Sequence, residues 1–421
     1  MFKLRDKGIK KVKFLPISEV NSNGIDENNE NYTTITELKQ LEWFVHPESK
    51  SHISKIQGNS LISSIKSHMD TRVETQTLYF TDLKSGKSGF IQIVYSSVIN
   101  GIYKGFQLNF KLLHAAEDVK EKDVWESFKL DNIKEFTPLK VEFDNLKFEF
   151  NKVNKEATTG NEIVSQLDIK FNYNRKAHSN NQNIDTLNIN IIADLYPGYI
   201  INPNGCSYYL DKSISSINRE DKELQSEEIS SKMLRHSFIP KGECSGSIYY
   251  KNLTGTNEIS LKLEKVPVSY IDATQGLLPN RAAKSWNFLC YHSENYSILC
   301  MEYTTIPDFG NNTITIWSVV HNNKIVSIKS SVNKNKVKYG NTLVDKENGW
   351  AYPTEITFPM KFEEKNLKVV NRYDIMNELP SVVKKIAQNI AHVKPYIYQF
   401  CQRSEFENEI GISIVESTFI S

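Results

Sequence analysis

The chain has 421 residues, 39% hydrophobic and 11% aromatic, with 51 basic and 50 acidic side chains for a net charge of +1. That length exceeds one ordinary core and points to two domains, and the charge balance removes any global pull toward nucleic acid. Five widely spaced cysteines without a CxxC pair indicate neither a zinc site nor a disulfide framework.

Residues 1–15, MFKLRDKGIKKVKFL, differ from all that follows. At helical spacing Met1, Phe2, Leu4, Ile9, Val12 and Leu15 share an arc of about 160°, with Lys3, Lys7, Lys10 and Lys13 opposite, until Pro16 ends the pattern. A basic amphipathic helix of this kind lies in a membrane interface, and those six apolar residues are its expected membrane contacts. A frayed basic tail or a first strand is the alternative. The Asn-rich stretch 21–33 reads as a linker, so residues 1–35 form an N-terminal amphipathic segment with its linker. No apolar run has the length of a signal peptide core or of a membrane span, and the chain reads as cytoplasmic.

Residues 73–113 hold three runs of apolar–polar alternation. In the third, Phe106, Leu108, Phe110 and Leu112 fall on one face, the period of two of a half-buried strand. Lys84-Ser85-Gly86 and Asn100-Gly101 supply the turns of this meander. Further alternations cover Leu146 to Phe150, Leu167 to Tyr173 and Leu187 to Ile191, about eight strands up to Leu210. The charged, Ser-rich stretch 211–231 reads as an interdomain linker. A second series of strands runs from Leu234 to Ile414, including a strict alternation at Ile356, Phe358, Met360 and Phe362. Residues 380–392 form the one convincing internal helix. Two domains follow, 36–225 and 226–421, all-β with few short helices. Sheets of so many short strands must curl or close, which predicts two antiparallel β-barrels in tandem, with a pair of sandwiches as the alternative.

Catalytic signatures fail one after another. Ser85-Gly86-Lys87-Ser88 imitates the end of a P-loop, but Thr81 stands where the first glycine belongs, and the segment joins two strands. There is no HExxH, GxSxG or GxGxxG. His292 and His321 occur in strand-like runs as structural histidines, and Glu363-Glu364 reads as a solvated pair at a strand end. No catalytic residue, metal ligand or cofactor is assigned.

Thr77 to Gly86 with Ser88-Gly89-Phe90-Ile91-Gln92 resembles the signature meander of the fungal survival factor one proteins. The resemblance continues through Leu234 to Phe238, Ala282 to Leu289, Lys394 to Cys401 and Glu416 to Ser421. It implies two tandem lipocalin-like barrels without catalysis. It also implies a monomeric protein that binds ceramide or a related lipid and moves it from endoplasmic reticulum to Golgi, supporting survival under oxidative stress. Peripheral contact with endoplasmic reticulum and cis-Golgi membranes, and a nuclear pool, belong to the same expectation. Phe106, Leu108, Phe110, Trp286 and Phe288 are the expected apolar lining of the ligand site. The alternatives are a hydratase- or cyclase-like enzyme with an acid or base in an apolar cavity, and a protein-binding scaffold with solid barrels.

Overall fold

The computed structural model describes residues 13–26, 29–46, 48–49, 71–98, 103–115, 122–153, 162–175, 184–210, 232–374 and 395–420. Met1, Phe2, Leu4, Ile9 and Val12 of the expected helix, the Asn100-Gly101 turn, the 211–231 linker and the 380–392 helix lie outside these residues, as does most of the loops at 154–162 and 175–185.

The chain is built from antiparallel strands. The meander comprises β4 (Arg72–Asp82), β5 (Lys87–Val98) and β6 (Tyr103–His114), preceded by three short strands, β1 (Lys13–Leu15), β2 (Val20–Ser22) and β3 (Tyr32–Ile35). Next come β7 (Val124–Leu130), β8 (Ile133–Thr137), β9 (Lys140–Phe143), β10 (Leu146–Asn151), β11 (Ser165–Asn174) and β12 (Ile184–Leu195). After β13 (Gly198–Ile201) and β14 (Cys206–Leu210), two long strands follow, β15 (Met233–Asn252) and β16 (Glu258–Gln275). The first sheet runs β7-β6-β5-β4-β16-β15-β12-β11-β10-β9-β8. Its two ends are joined by the Asp131-Asn132 turn, where Asn132 takes the left-handed backbone that asparagine tolerates (φ 62°). Across that seam Phe128 of β7 meets Phe171 and Tyr173 of β11, ring centroids 4.9 Å apart in both pairs. The sheet is therefore a nearly closed barrel around one core, to which Leu78, Phe80, Ile91, Leu108, Phe110, Phe148, Ile169, Ile189 and Val268 contribute.

The second sheet runs β2-β20-β19-β18-β17-β28-β27-β26. Its strands are β17 (Ser285–His292), β18 (Tyr296–Thr304), β19 (Thr313–His321), β20 (Lys324–Val332), β26 (Asn371–Asp374), β27 (Tyr396–Phe406) and β28 (Glu409–Phe419), with β2 added at one edge. Two small sheets cover it, one of β21 (Lys338–Tyr339), β24 (Ile356–Phe358) and β25 (Phe362–Glu364), the other of β22 (Thr342–Val344) and β23 (Ala351–Pro353). Leu289, Tyr291, Cys300, Trp317, Phe400 and Val415 pack there against Ile356, Phe358 and Phe362. The expected all-β fold of tandem lipocalin-like antiparallel β-barrels is borne out, the first sheet being a nearly closed barrel.

Several expectations change. The hairpin β15–β16 pairs with β12 and β4, so both strands belong to the first sheet. The change of sheet thus falls between Gln275 and Ser285, well after the boundary drawn at 225/226. Periodicity marks strands but not their neighbours, which is why that boundary followed a polar loop. The stretch 13–35 is not a free segment either. β1 pairs with β14 and β3 with β13 in the first sheet, while β2 pairs with β20 in the second, so the segment stitches the two sheets together. Leu15, expected on a helix, is a strand residue opposite Tyr208. Strands of three or four residues held by backbone hydrogen bonds leave no side-chain period to read. Ile356 to Phe362 forms a hairpin, because Lys361 turns the chain at φ 63°.

Between the barrels, Tyr79, Phe90, Leu234, Phe238 and Ile271 of the first sheet pack on Phe288, Cys290, Leu299, Tyr303 and Ile316 of the second. His292, fully buried, bridges this contact: its Nδ1 lies 2.8 Å from Thr81 Oγ1 and its Nε2 2.8 Å from Ser269 Oγ. Ser269 Oγ donates to the Pro240 carbonyl at 2.8 Å, so it accepts from Nε2–H. His292 is the structural histidine expected from its strand.

Candidate functional site

Strand phase decides which residues enter the first barrel. On β4, Leu78 and Phe80 face its core and Tyr79 faces the second sheet, so Glu74 and Gln76, in phase with Leu78, point inward. On β16, Tyr270 belongs to the core, which brings Asp272 and Thr274 to the same face. On β15, Ile239 is inward, and with it Ser237 and Arg235. Cross-strand register places these residues side by side: Gln76 opposite Asp272, Glu74 opposite Thr274, Arg235 opposite Thr274 and Ser237 opposite Asp272. One end of an apolar barrel therefore carries a polar floor.

The cluster is closed off by the segment from the 3₁₀ turn Leu38–Leu41 to His46. Trp43 inserts among Phe106, Phe136 and Phe148, at centroid distances of 6.0, 5.8 and 6.4 Å. Glu74 holds this segment through both carboxyl oxygens, which accept the backbone N–H groups of Phe44 (2.9 Å) and Val45 (2.8 Å). The Arg235 guanidinium stacks on the Phe44 ring at 4.7 Å and donates from Nη1 to Asp272 Oδ2 at 2.5 Å.

Burial, and next the Asp272 carboxylate, push the Glu74 carboxyl well above the usual range, against the opposing N–H groups of Val45 and Phe44 and the Arg235 charge. Arg235 and Asp272 cancel. What remains is a set of buried polar atoms without a protein partner among the described residues: Trp43 Nε1, Arg235 Nε, Asp272 Oδ1, Gln76 Oε1, Thr274 Oγ1 and Tyr270 OH. All six residues are less than 5% exposed. Leaving such atoms unpaired costs about 1–3 kcal/mol each, so a solid core of this composition is unfavourable. Two are donors only, two acceptors only, and two hydroxyls can do either.

At the barrel's other end lies a second polar pair. Glu126, in phase with Val124 and Phe128 of the core, accepts a hydrogen bond from Tyr250 OH at 3.1 Å. Burial raises its carboxyl to about 7 against the small opposing effect of Tyr250.

The expected lining residues separate into two groups. Phe106, Leu108 and Phe110 all point into the first barrel. Trp286 and Phe288 do not join them, since they face the contact between the sheets, Trp286 beside Tyr303 at 5.1 Å and Phe288 beside Tyr79 at 5.0 Å. Glu364, expected to be solvated, is 2% exposed; Ser404 donates to it at 2.6 Å and Gln402 donates as well. The polar cluster itself escaped sequence reasoning. Its signal was present in Val73-Glu74-Thr75-Gln76-Thr77-Leu78, where two polar side chains occupy the inward phase of a strand.

Comparison with known proteins places this architecture. The family model described as the Svf1 family matches residues 5–421. The chain belongs to the Svf1 family. An SVF1-like protein of Saccharomyces cerevisiae is 48% identical over 98% of both chains. The ceramide-binding protein SVF1 of Debaryomyces hansenii is 32% identical over 85% of this chain and 87% of its own. The two Svf1-family levels of identity fit a divergent paralogue of the ceramide-binding members. Among solved structures, kievitone hydratase from Nectria haematococca aligns with this Svf1-family chain over 96% of it and 98% of the hydratase, at 10% identity and a TM-score of 0.45.

Proposed function

We propose that this protein is a non-enzymatic lipid carrier that holds ceramide or a related sphingolipid in its first barrel. The observation that carries the reading is the buried floor of six unpartnered polar atoms at the end of an apolar interior. Ceramide presents an uncharged polar end with one amide and hydroxyls, and two long chains. Its N–H and O–H groups suit Asp272 Oδ1 and Gln76 Oε1, and its carbonyl suits Arg235 Nε or Trp43 Nε1. The chains extend along Leu78, Phe80, Leu108 and Phe110. Taking each buried CH₂ as worth ~0.8 kcal/mol, spontaneous escape of such chains from a bilayer is slow, and an enclosing barrel lowers that barrier. The names of ceramide-binding relatives support the lipid class.

The further role proposed is transfer of this lipid between endoplasmic reticulum and Golgi membranes by a monomeric, cytoplasmic protein, with peripheral contact at both membranes, a nuclear pool and support of survival under oxidative stress. These parts rest on the family resemblance. The test is lipid extraction and mass spectrometry of the protein purified from its host cells. Co-purified ceramide, near one per chain, is expected; absence of every sphingolipid overturns the reading.

A second reading has one observation in its favour. Glu126, lifted to about 7 and bonded to Tyr250 inside the same barrel, has the environment of a general acid or base. Turnover of an isoprenoid or polyketide-like substrate, abolished by Glu126→Gln, would establish it in place of the carrier reading.

A further inference from the structure

The described surface carries one adjacent pair of strongly exposed large apolar residues. Leu343 is 54% and Val344 63% exposed, and both lie in β22. Alternating strand residues point to opposite faces, so exposure of both means that β22 is open on both faces, while its partner β23 packs the hairpin onto the second sheet through Tyr352. β22 pairs with β23 alone. Apolar residues scattered singly on a surface need no explanation, but two on one hairpin are a contact element.

The base of that hairpin is fixed. Trp350 stacks on Phe419 at 5.2 Å and Tyr352 on Tyr398 at 4.8 Å. Asp345 receives hydrogen bonds from Tyr398 OH (2.7 Å), Asn348 Nδ2 (2.9 Å), the Glu347 backbone N–H (2.9 Å) and the Arg372 guanidinium (3.1 Å). The hairpin is therefore presented rigidly, at the end of β28 remote from the β27–β28 turn.

Its surroundings are cationic. Lys336 lies just before β21 and Lys338 in it, on the stretch that leads to the hairpin, and Lys346 at the hairpin's turn; all three are exposed and none has an ion-pair partner among the described residues. The acidic groups nearby are fewer than the cations: Asp345 and Glu347 share Arg372 and Glu355 is half-buried, so three carboxylates stand against Arg372 and the three lysines. Two exposed apolar side chains with three exposed lysines within eight residues of them along the chain match an anionic bilayer, whose headgroups take the ammonium groups while Leu343 and Val344 enter the acyl boundary. We propose that the β22–β23 hairpin is a membrane-docking element that inserts Leu343 and Val344 into anionic lipid surfaces.

The test uses the full chain and flotation with two vesicle types, pure phosphatidylcholine and phosphatidylcholine containing phosphatidylserine. The paired substitution Leu343→Asp and Val344→Asp is expected to lower binding to the anionic vesicles at least ~10-fold, from the apolar area withdrawn. Lys336→Ala with Lys338→Ala is expected to lower it by roughly 5-fold per lysine. Because all four residues are exposed, near-ultraviolet circular dichroism should match the parent protein. A direct readout uses Leu343→Cys carrying a polarity-sensitive dye, the five native cysteines being buried. A blue shift with anionic vesicles supports insertion. As the control, Ile410→Cys, at the opposite end of β28, should show none. Unchanged flotation of the aspartate variant, or equal shifts at 343 and 410, overturns the proposal. Neither outcome bears on ceramide binding, which is measured separately by bound-lipid analysis.

Discussion

Replacing Arg235 by methionine removes the guanidinium that faces Glu74 and Asp272. Both partners of the ion pair are about 5% exposed, so the stranded Asp272 carboxylate loses its compensation in a medium that solvates it poorly. Breaking a buried pair from one side costs about 3–5 kcal/mol, which at roughly 2–4 °C per kcal/mol is a fall in Tm on the order of 10 °C. The double variant Arg235→Met/Asp272→Leu behaves differently. An apolar pair fills the same volume without desolvation, and such replacements are neutral or stabilising by up to about 4 kcal/mol. The double variant is therefore expected to melt at or above the parent temperature and yet to lose ceramide, because the polar floor is gone. The assay is a thermal melt of both variants beside quantification of co-purified ceramide. A double variant as unstable as the single one, or one that keeps its full complement of ceramide, refutes the argument that this cluster is maintained for a ligand.

Glu126 holds its proton to about 7 in the folded state against 4.5 as the reference, so stability falls as pH rises from about 4.5 to 7. The Glu126→Gln variant should gain up to ~3 kcal/mol over the parent across that window, read from urea midpoints; a constant difference at all pH values would contradict it. His292 and His236 are both depressed to about 3, chiefly by burial. The unfolded chain binds their protons below about 6.5, so stability is lost as pH falls from there at up to ~1.4 kcal/mol per pH unit for each, and His236→Phe should halve the slope. Deleting residues 2–12, which spares β1 and its pairing with β14, is expected to reduce liposome binding without lowering the Tm. Unchanged binding would remove the N-terminal anchor.

Much of the fold was legible because inward and outward phases are regular on long strands. Phe106, Leu108, Phe110 and Leu112 announced β6 by period alone, and all four face the first core. The meander turn at Gly86 was legible for the same kind of reason: its φ of 74° needs glycine, and its N–H closes on the Asp82 carbonyl at 3.0 Å. Gly89 in the motif Ser88-Gly89-Phe90 also has a steric cause, since a Cβ there would sit 2.1 Å from the Lys111 carbonyl oxygen. Partnership between distant strands was not legible. Nothing local in Met233–Asn252 says that it lies between β12 and β16, and the domain boundary went astray there.

The site was legible in half. Of the five expected lining residues, Phe106, Leu108 and Phe110 of β6 face the first barrel's core, whereas Trp286 and Phe288 share their aromatic character but face the contact between the sheets from β17. A list of large apolar residues cannot distinguish a barrel interior from a contact between barrels. Polar residues in an inward phase can, and Glu74, Gln76, Asp272 and Thr274 carried that information.

Location of the ligand is the central claim, and a photoactivatable ceramide tests it most directly. After irradiation of the full chain and digestion, cross-linked peptides are expected from β4, β6, β15 and β16, with label at residues such as Leu78, Phe110, Arg235 and Tyr270. Cross-links concentrated on β17 and β18 around Phe288 and Tyr303, or on neither barrel, would contradict a ceramide site in the first barrel.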